Sequence, residues 1–204
     1  MLEVKLKNVY NFVYLGHSFQ ADGDAEHCVE VRMAIAKVRF GKLQNVWHSN
    51  QLSTSLKLLL YRHAVLSALR HGYEAWKLDA TMQAKLNGWN SRCVATITGR
   101  SIAKEAGRRQ TFDLVSHLRV ERLRWVGHVL RMDDSRYVKQ ALAVVFGSGD
   151  SEQLHKSGSV LMDIPKCSSF SELECEAGAH GDHDEWDSRV RALKKAILRA
   201  RFAR

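Results

Sequence analysis

The chain of 204 residues contains a single proline, Pro165, so over the first 146 positions only glycine and the hydrophobic pattern itself can interrupt a helix. The pattern there is helical. Met82, Leu86, Trp89, Cys93 and Ile97 recur every three or four residues between Asp79, a ready N-cap, and Gly99, where the stripe stops. Upstream, Cys28, Val31, Ile35 and Val38 make one such row. Met33, Ala36, Phe40, Leu43 and Trp47 make a second beside it, which predicts a helix with a wide apolar face beyond Asp24. Ser53 or Thr54 can cap the next helix, whose run from Leu56 to Leu69 leaves so few polar positions before Gly72 that it should be the most buried of all. A further helix is predicted from about Asp113 to Met132. Another follows it through Tyr137, Val138, Leu142 and Val145, capped by Asp133, Asp134 or Ser135.

The first residues read differently. Val9, Tyr10, Phe12, Val13, Tyr14 and Phe19 are β-branched or aromatic and precede Asp22-Gly23, so one or two short strands and a turn are expected. The fold class is therefore mainly α, with a short β-hairpin ahead of a helical bundle.

Charge divides the chain into three. Residues 1–140 hold 22 Lys+Arg against 12 Asp+Glu, residues 141–188 two against ten, and residues 189–204 seven against none, within a formal total of +9. A basic body, an acidic connector and a basic terminal helix suggest a polyanionic partner, or a tail that folds back on the connector. The small polar residues of 147–158 mark a linker. Ser169 to Glu176 suit a short helix, and Asp182 or Asp184 can cap a last one with Trp186, Val190, Leu193 and Ile197 inside. Lys57, Arg62 and His63 break the longest apolar run, which falls short of the roughly 18–20 residues of a membrane span. The first residues lack a secretory signal. Cys28, Cys93, Cys167 and Cys175 are too dispersed for a disulfide scaffold, so an intracellular setting, nucleus or cytoplasm, is expected.

On the helix from Asp113, Arg124, His128 and Arg131 fall within about 60° of one another, giving a compact cationic row. With Arg119 and Arg122 they would neutralise backbone phosphates, and Trp125 could stack on a base or pack in the core. The other reading is a solvated charged face. Asp133-Asp134 follows a methionine but lies at a helix end with no third carboxylate placed beside it, so capping explains it. Cys167, Cys175, His180 and His183 have the residue types of a zinc site, but their cysteines stand farther apart than the usual two to four residues. No P-loop and no nucleophile–histidine arrangement stands out.

Several segments together resemble non-LTR (LINE-type) retrotransposon reverse transcriptases. Tyr14-Leu15-Gly16-His17 followed by Ala21-Asp22-Gly23 is similar to the Y-L-G segment that ends the palm in that family, and Gly72-Tyr73-Glu74-Ala75-Trp76 matches its G-x-E-x-W. Arg122-Leu123-Arg124-Trp125-Val126-Gly127-His128-Val129-Leu130-Arg131 matches its R-L-R-W-x-G-H-V-L-R. The likeness covers about residues 10–146. It implies a primer-grip-like hairpin over 1–24 that includes Tyr14, Leu15 and Gly16, and a thumb-like and connecting helical domain over 25–146, to which composition adds a flexible linker over 147–168 and a small helical tail over 169–204. The polymerase aspartates of the family, which would use Mg2+, lie on the palm upstream of Y-L-G. Only thirteen residues precede Tyr14, so this chain alone is expected to have no catalytic site, cofactor or metal of its own. An RNA/DNA hybrid or other nucleic acid is the implied partner, with the palm and fingers of the same polyprotein as a further one and no membrane. The alternative is a non-catalytic remnant or a reused helical protein-interaction module.

Overall fold

A computed structural model describes residues 8–21, 26–100, 113–147, 186–188 and 190–192. They are mainly helical, with one antiparallel hairpin at the start. Strand β1 (Asn11–Tyr14) pairs with β2 (His17–Gln20) in the register Asn11 to Gln20 and Tyr14 to His17. The chain reverses at Leu15-Gly16, where both residues have positive φ (+48° and +79°) as a two-residue hairpin turn of matching twist requires. Asp22-Gly23, the turn expected from sequence, lies outside the described residues.

Helix α1 (Glu26–Lys42) buries Val29, Met33 and Ala36, the row that continues through Phe40 and Leu43 to Trp47 in the short α2 (Gln44–His48). The Trp47 indole N–H donates to Phe40 O at 2.9 Å and fixes the bend between them. The neighbouring row through Val31 and Ile35 is only half-buried, and Val38 is exposed.

Helix α3 (Thr54–Leu60) starts at Ser53, whose side chain accepts from the Leu56 N–H. It runs on as a π-helical segment (Tyr61–Leu66) and then α4 (Ser67–Leu69). The expectation that this stretch is the most buried fails over its first half. Leu56, Leu59 and Leu60 are exposed while Lys57 is buried, its ammonium donating to Trp47 O at 2.9 Å. The last carbonyls of α2 have no partner within their own short helix, and a lysine stem can lie along apolar surface to reach one of them. Satisfying that carbonyl turns Lys57 inward and the leucines outward. Within the π segment Tyr61, Val65 and Leu66 return to the core, followed by Leu69 in α4.

After a 3-10 turn (Tyr73–Ala75), α5 (Ala80–Thr98) is capped by Asp79, which accepts from Met82 N at 2.7 Å, and it ends at left-handed Gly99. Its stripe from Met82 to Ile97 is buried as the spacing predicts. Phe40, Trp47, Tyr61 and Trp89 form an aromatic cluster between α1, α2, the π segment and α5, and the Tyr61 hydroxyl donates to Asn90 Oδ1 at 3.0 Å.

Helix α6 (Leu114–Leu130), capped by Asp113, is more buried than the stretch from Leu56 to Leu69, with ten of its 17 residues inside. Asp133 accepts the Ser135 N–H at 2.9 Å and Asp134 pairs with Lys139 at 2.6 Å, shaping the turn before α7 (Tyr137–Gly147). Residues 186–188 and 190–192 are helical and bury Trp186 and Val190. Leu193 and Ile197, the linker and the segment with Cys167, Cys175, His180 and His183 lie outside the described residues. Among the described residues no helix is long and apolar enough to cross a membrane.

Candidate nucleic-acid interface

The motifs singled out in the sequence dock on one another. The His17 imidazole lies over Gly72, where a Cβ would overlap the ring and where φ is +71°. Glycine is required there on both counts. His71 contacts Leu15 O at 3.1 Å, the Arg32 guanidinium donates to Gly16 O, and the Cys28 thiol donates to Ser18 O. Four contacts thus tie the hairpin to α1 and to the turn after α4. Burial, His71 and Arg32 push the His17 pKa below its ordinary value.

Arg122 binds the same turn from the other side. Its guanidinium is buried and donates to Tyr73 O at 3.1 Å and to Trp76 O. It adds a second donor to Tyr73 O, which already accepts the Trp76 N–H at 3.3 Å, and supplies one to Trp76 O, so it clamps the turn to α6 instead of facing solvent. Gly127 makes room for a third partner: Trp186 packs where its Cβ would be and donates its indole N–H to Leu123 O at 3.2 Å.

The residues expected to meet phosphate therefore part company. Arg124 and His128 are exposed and Arg131 is half-buried, along one stripe of α6. Arg122 points inward. Arg119, nine residues before His128 and hence about 180° from it, is half-buried on the opposite side of the helix. Trp125 is half-buried beside the stripe. Arg124 holds Glu121 at 2.6 Å, a largely exposed pair within a cationic surface.

The surface extends beyond α6 in a way the sequence did not reveal. Arg70, just past α4, reaches His117 on the same stripe with 3.2 Å between Nη1 and Nε2. Burial is the main cause that keeps the His117 pKa below its ordinary value. Glu121 opposes it, while Arg70, Arg124 and Arg62 add to it. The chain resembles a transposon-derived protein. That protein, from Caenorhabditis elegans, shares 22% identity over 143 residues, 65% of this chain and 51% of its own length, so the chain spans about half of the relative it matches. The likeness supports a transposon origin. No family model matches the chain and no solved structure matches it.

At the hairpin tip, Tyr14 and Leu15 are exposed, and Gly16 accepts the Arg32 contact. Phe12 stacks near Tyr14 at 6.3 Å between centroids, and both face solvent with Val13. Among the described residues no three His, Cys, Asp or Glu side chains gather to hold a metal ion. Asp133 and Asp134 have the local partners given above, and burial pushes the Cys93 thiol up to about 12, against the opposing contact with Tyr61. What the assembled surface offers chemically is an array of guanidinium donors on rigid helices, suited to phosphate oxygens.

Proposed function

We propose that the chain is a portion of a non-LTR retrotransposon reverse transcriptase from beyond the catalytic palm, and that it binds the backbone of an RNA/DNA hybrid or related nucleic acid without polymerising by itself. The observation that carries this reading is the cationic stripe of Arg124, His128 and Arg131 on the helix that also bears the buried Arg122 and Gly127 of the R-L-R-W-x-G-H segment. The buried members fix the helix and the exposed members meet phosphate. Charges on a helix that cannot shift lose little entropy on binding, and phosphate neutralisation gives salt-sensitive affinity with little sequence preference. Family likeness and the transposon-derived relative support the same origin.

Fluorescence anisotropy of a labelled RNA/DNA hybrid, titrated at several salt concentrations, tests the reading. Affinity should fall linearly in log salt, and the Arg124→Ala, Arg131→Ala double variant should bind more weakly with a slope shallower by about two. Failure of the folded protein to bind either RNA or DNA at low salt overturns the reading. A second reading, reuse as a protein-interaction module, is favoured by the exposed Phe12, Val13, Tyr14 and Leu15 of the hairpin. In that case the arginine variants leave partner binding unchanged.

A further inference from the structure

Helices α1 and α5 pack side by side and leave between them a cavity of about 350 Å3 that opens to solvent, with the buried Met33 at its floor. Glu30, Met33 and Lys37 follow one another at three and four residues along α1. Ala84, Gly88 and Arg92 follow at four along α5, so each helix turns one ridge to the groove. The α5 wall is low because Ala84 is small and Gly88 has no side chain. A Cβ at Gly88 would meet only Arg92 Nη1, at an ordinary 3.8 Å.

Three cations and one carboxylate line this groove. The carboxylate is already engaged. Lys85 reaches across to Glu30 at 2.6 Å, in a pair whose two side chains are both about half exposed. Lys37 and Arg92 each stand two turns beyond that pair, about 10 Å further along their own helices. Both are exposed, and among the described residues neither side chain has a hydrogen-bond or ion-pair partner. The neighbouring acids lie at the opposite end: Glu26 is a turn before Glu30, and Asp79 precedes Lys85 and caps α5. The groove therefore ends in two uncompensated cations.

Its position separates it from the α6 surface. The Val115 N–H at the start of α6 donates to Asn87 Oδ1 at 3.2 Å, which marks the side of α5 that α6 covers. Lys85 and Arg92 lie about 140–160° round the helix from Asn87, so the groove opens on the flank away from that contact. Lysine and arginine only donate, which suits phosphate oxygens. The volume is that of about one nucleotide, too small for stacked and paired bases but open to a single strand.

We propose that the groove between α1 and α5 binds a single strand of nucleic acid, seating one backbone phosphate between Lys37 and Arg92 with the adjoining sugar against Met33 and Ala84. With Glu30 held by Lys85, no free side chain of the lining reads a base edge, so the strand is bound with little sequence preference. The inference extends the nucleic-acid reading to a second surface and a second form of the ligand.

Fluorescence anisotropy of a labelled oligothymidylate, titrated with the full chain at several salt concentrations beside the labelled RNA/DNA hybrid, tests it. The Lys37→Ala, Arg92→Ala double variant should bind the single strand several-fold more weakly, with a salt slope shallower by about 0.7, the value for one phosphate no longer neutralised on a single strand. Hybrid binding should be unchanged. Gly88→Leu puts a side chain into the cavity without removing a charge, at a helix position with room for its Cβ, and should also weaken the single strand several-fold while circular dichroism stays native. Single-strand affinity and slope that are unchanged in both variants overturn the groove, and leave the α6 stripe in place if the hybrid still binds. A protein that binds the single strand in this variant-sensitive way but ignores the hybrid supports the groove and overturns the α6 reading.

Discussion

Replacing Gly127 by Ala sets two energies of opposite sign against each other. In an ordinary helix interior the change is stabilising by about 0.8–1 kcal/mol, because alanine loses less backbone freedom on folding. Here the new Cβ would stand 2.6 Å from Trp186 Cδ1 and 2.8 Å from Cε2, well inside contact distance. The indole is 1% exposed and held by its bond to Leu123 O, with no room to shift aside within the helix's own packing, so Trp186 must leave. Losing a buried tryptophan costs about 3–5 kcal/mol. Gly127→Ala should therefore destabilise by about 2–4 kcal/mol, whereas in a Trp186→Ala background the same substitution should stabilise by about 1 kcal/mol. Urea unfolding of the four proteins, followed by far-UV circular dichroism because five tryptophans blur fluorescence, measures the coupling. Equal stabilisation by Gly127→Ala in both backgrounds would refute the docking of Trp186 on this glycine.

Two further outcomes are expected. Arg122→Met keeps much of the side-chain length but removes the guanidinium donor of Trp76 O and one of the two donors of Tyr73 O, and should cost about 1–3 kcal/mol in urea unfolding. A change within about 0.5 kcal/mol would show that Arg122 does not clamp the turn. His17 and His117 both have folded pKa values below about 6.5, so between those values and 6.5 the unfolded chain binds more protons and stability rises with pH. The urea midpoint should fall from pH 7.5 to 5.5, be flat above about 7, and lose this dependence in the His17→Gln, His117→Gln double variant.

Much of the helical framework is legible in the sequence because local rules decide it. Ser53, Asp79 and Asp113 cap helices through their own side chains, Gly99 ends one in the left-handed conformation, and the Met82 to Ile97 stripe is buried because its spacing admits one face. Reading exposure from hydrophobicity alone goes astray at Leu56, Leu59 and Leu60, because Lys57 is drawn inward by a carbonyl ten residues away in sequence. At the candidate site, the row of Arg124, His128 and Arg131 follows from helix periodicity. The contact of Arg70 with His117 does not, since it joins residues 47 apart in the chain. The run Arg122-Leu123-Arg124 looks uniformly basic, yet its two arginines face opposite environments.

The sequence by itself determined which stretches are helical, where they start, that a hairpin precedes them, and that a basic stripe lines one helix. These are matters of backbone preference and of residues within a turn or two of each other. Only the tertiary structure decided what the motif residues do. Gly72 admits the His17 ring, Gly127 admits Trp186, and Arg122 serves carbonyls 46 and 49 residues away. The physical reason is that steric room and unpaired carbonyls belong to pairs of elements. Which side chain fills the room or meets the carbonyl is fixed only when the elements pack.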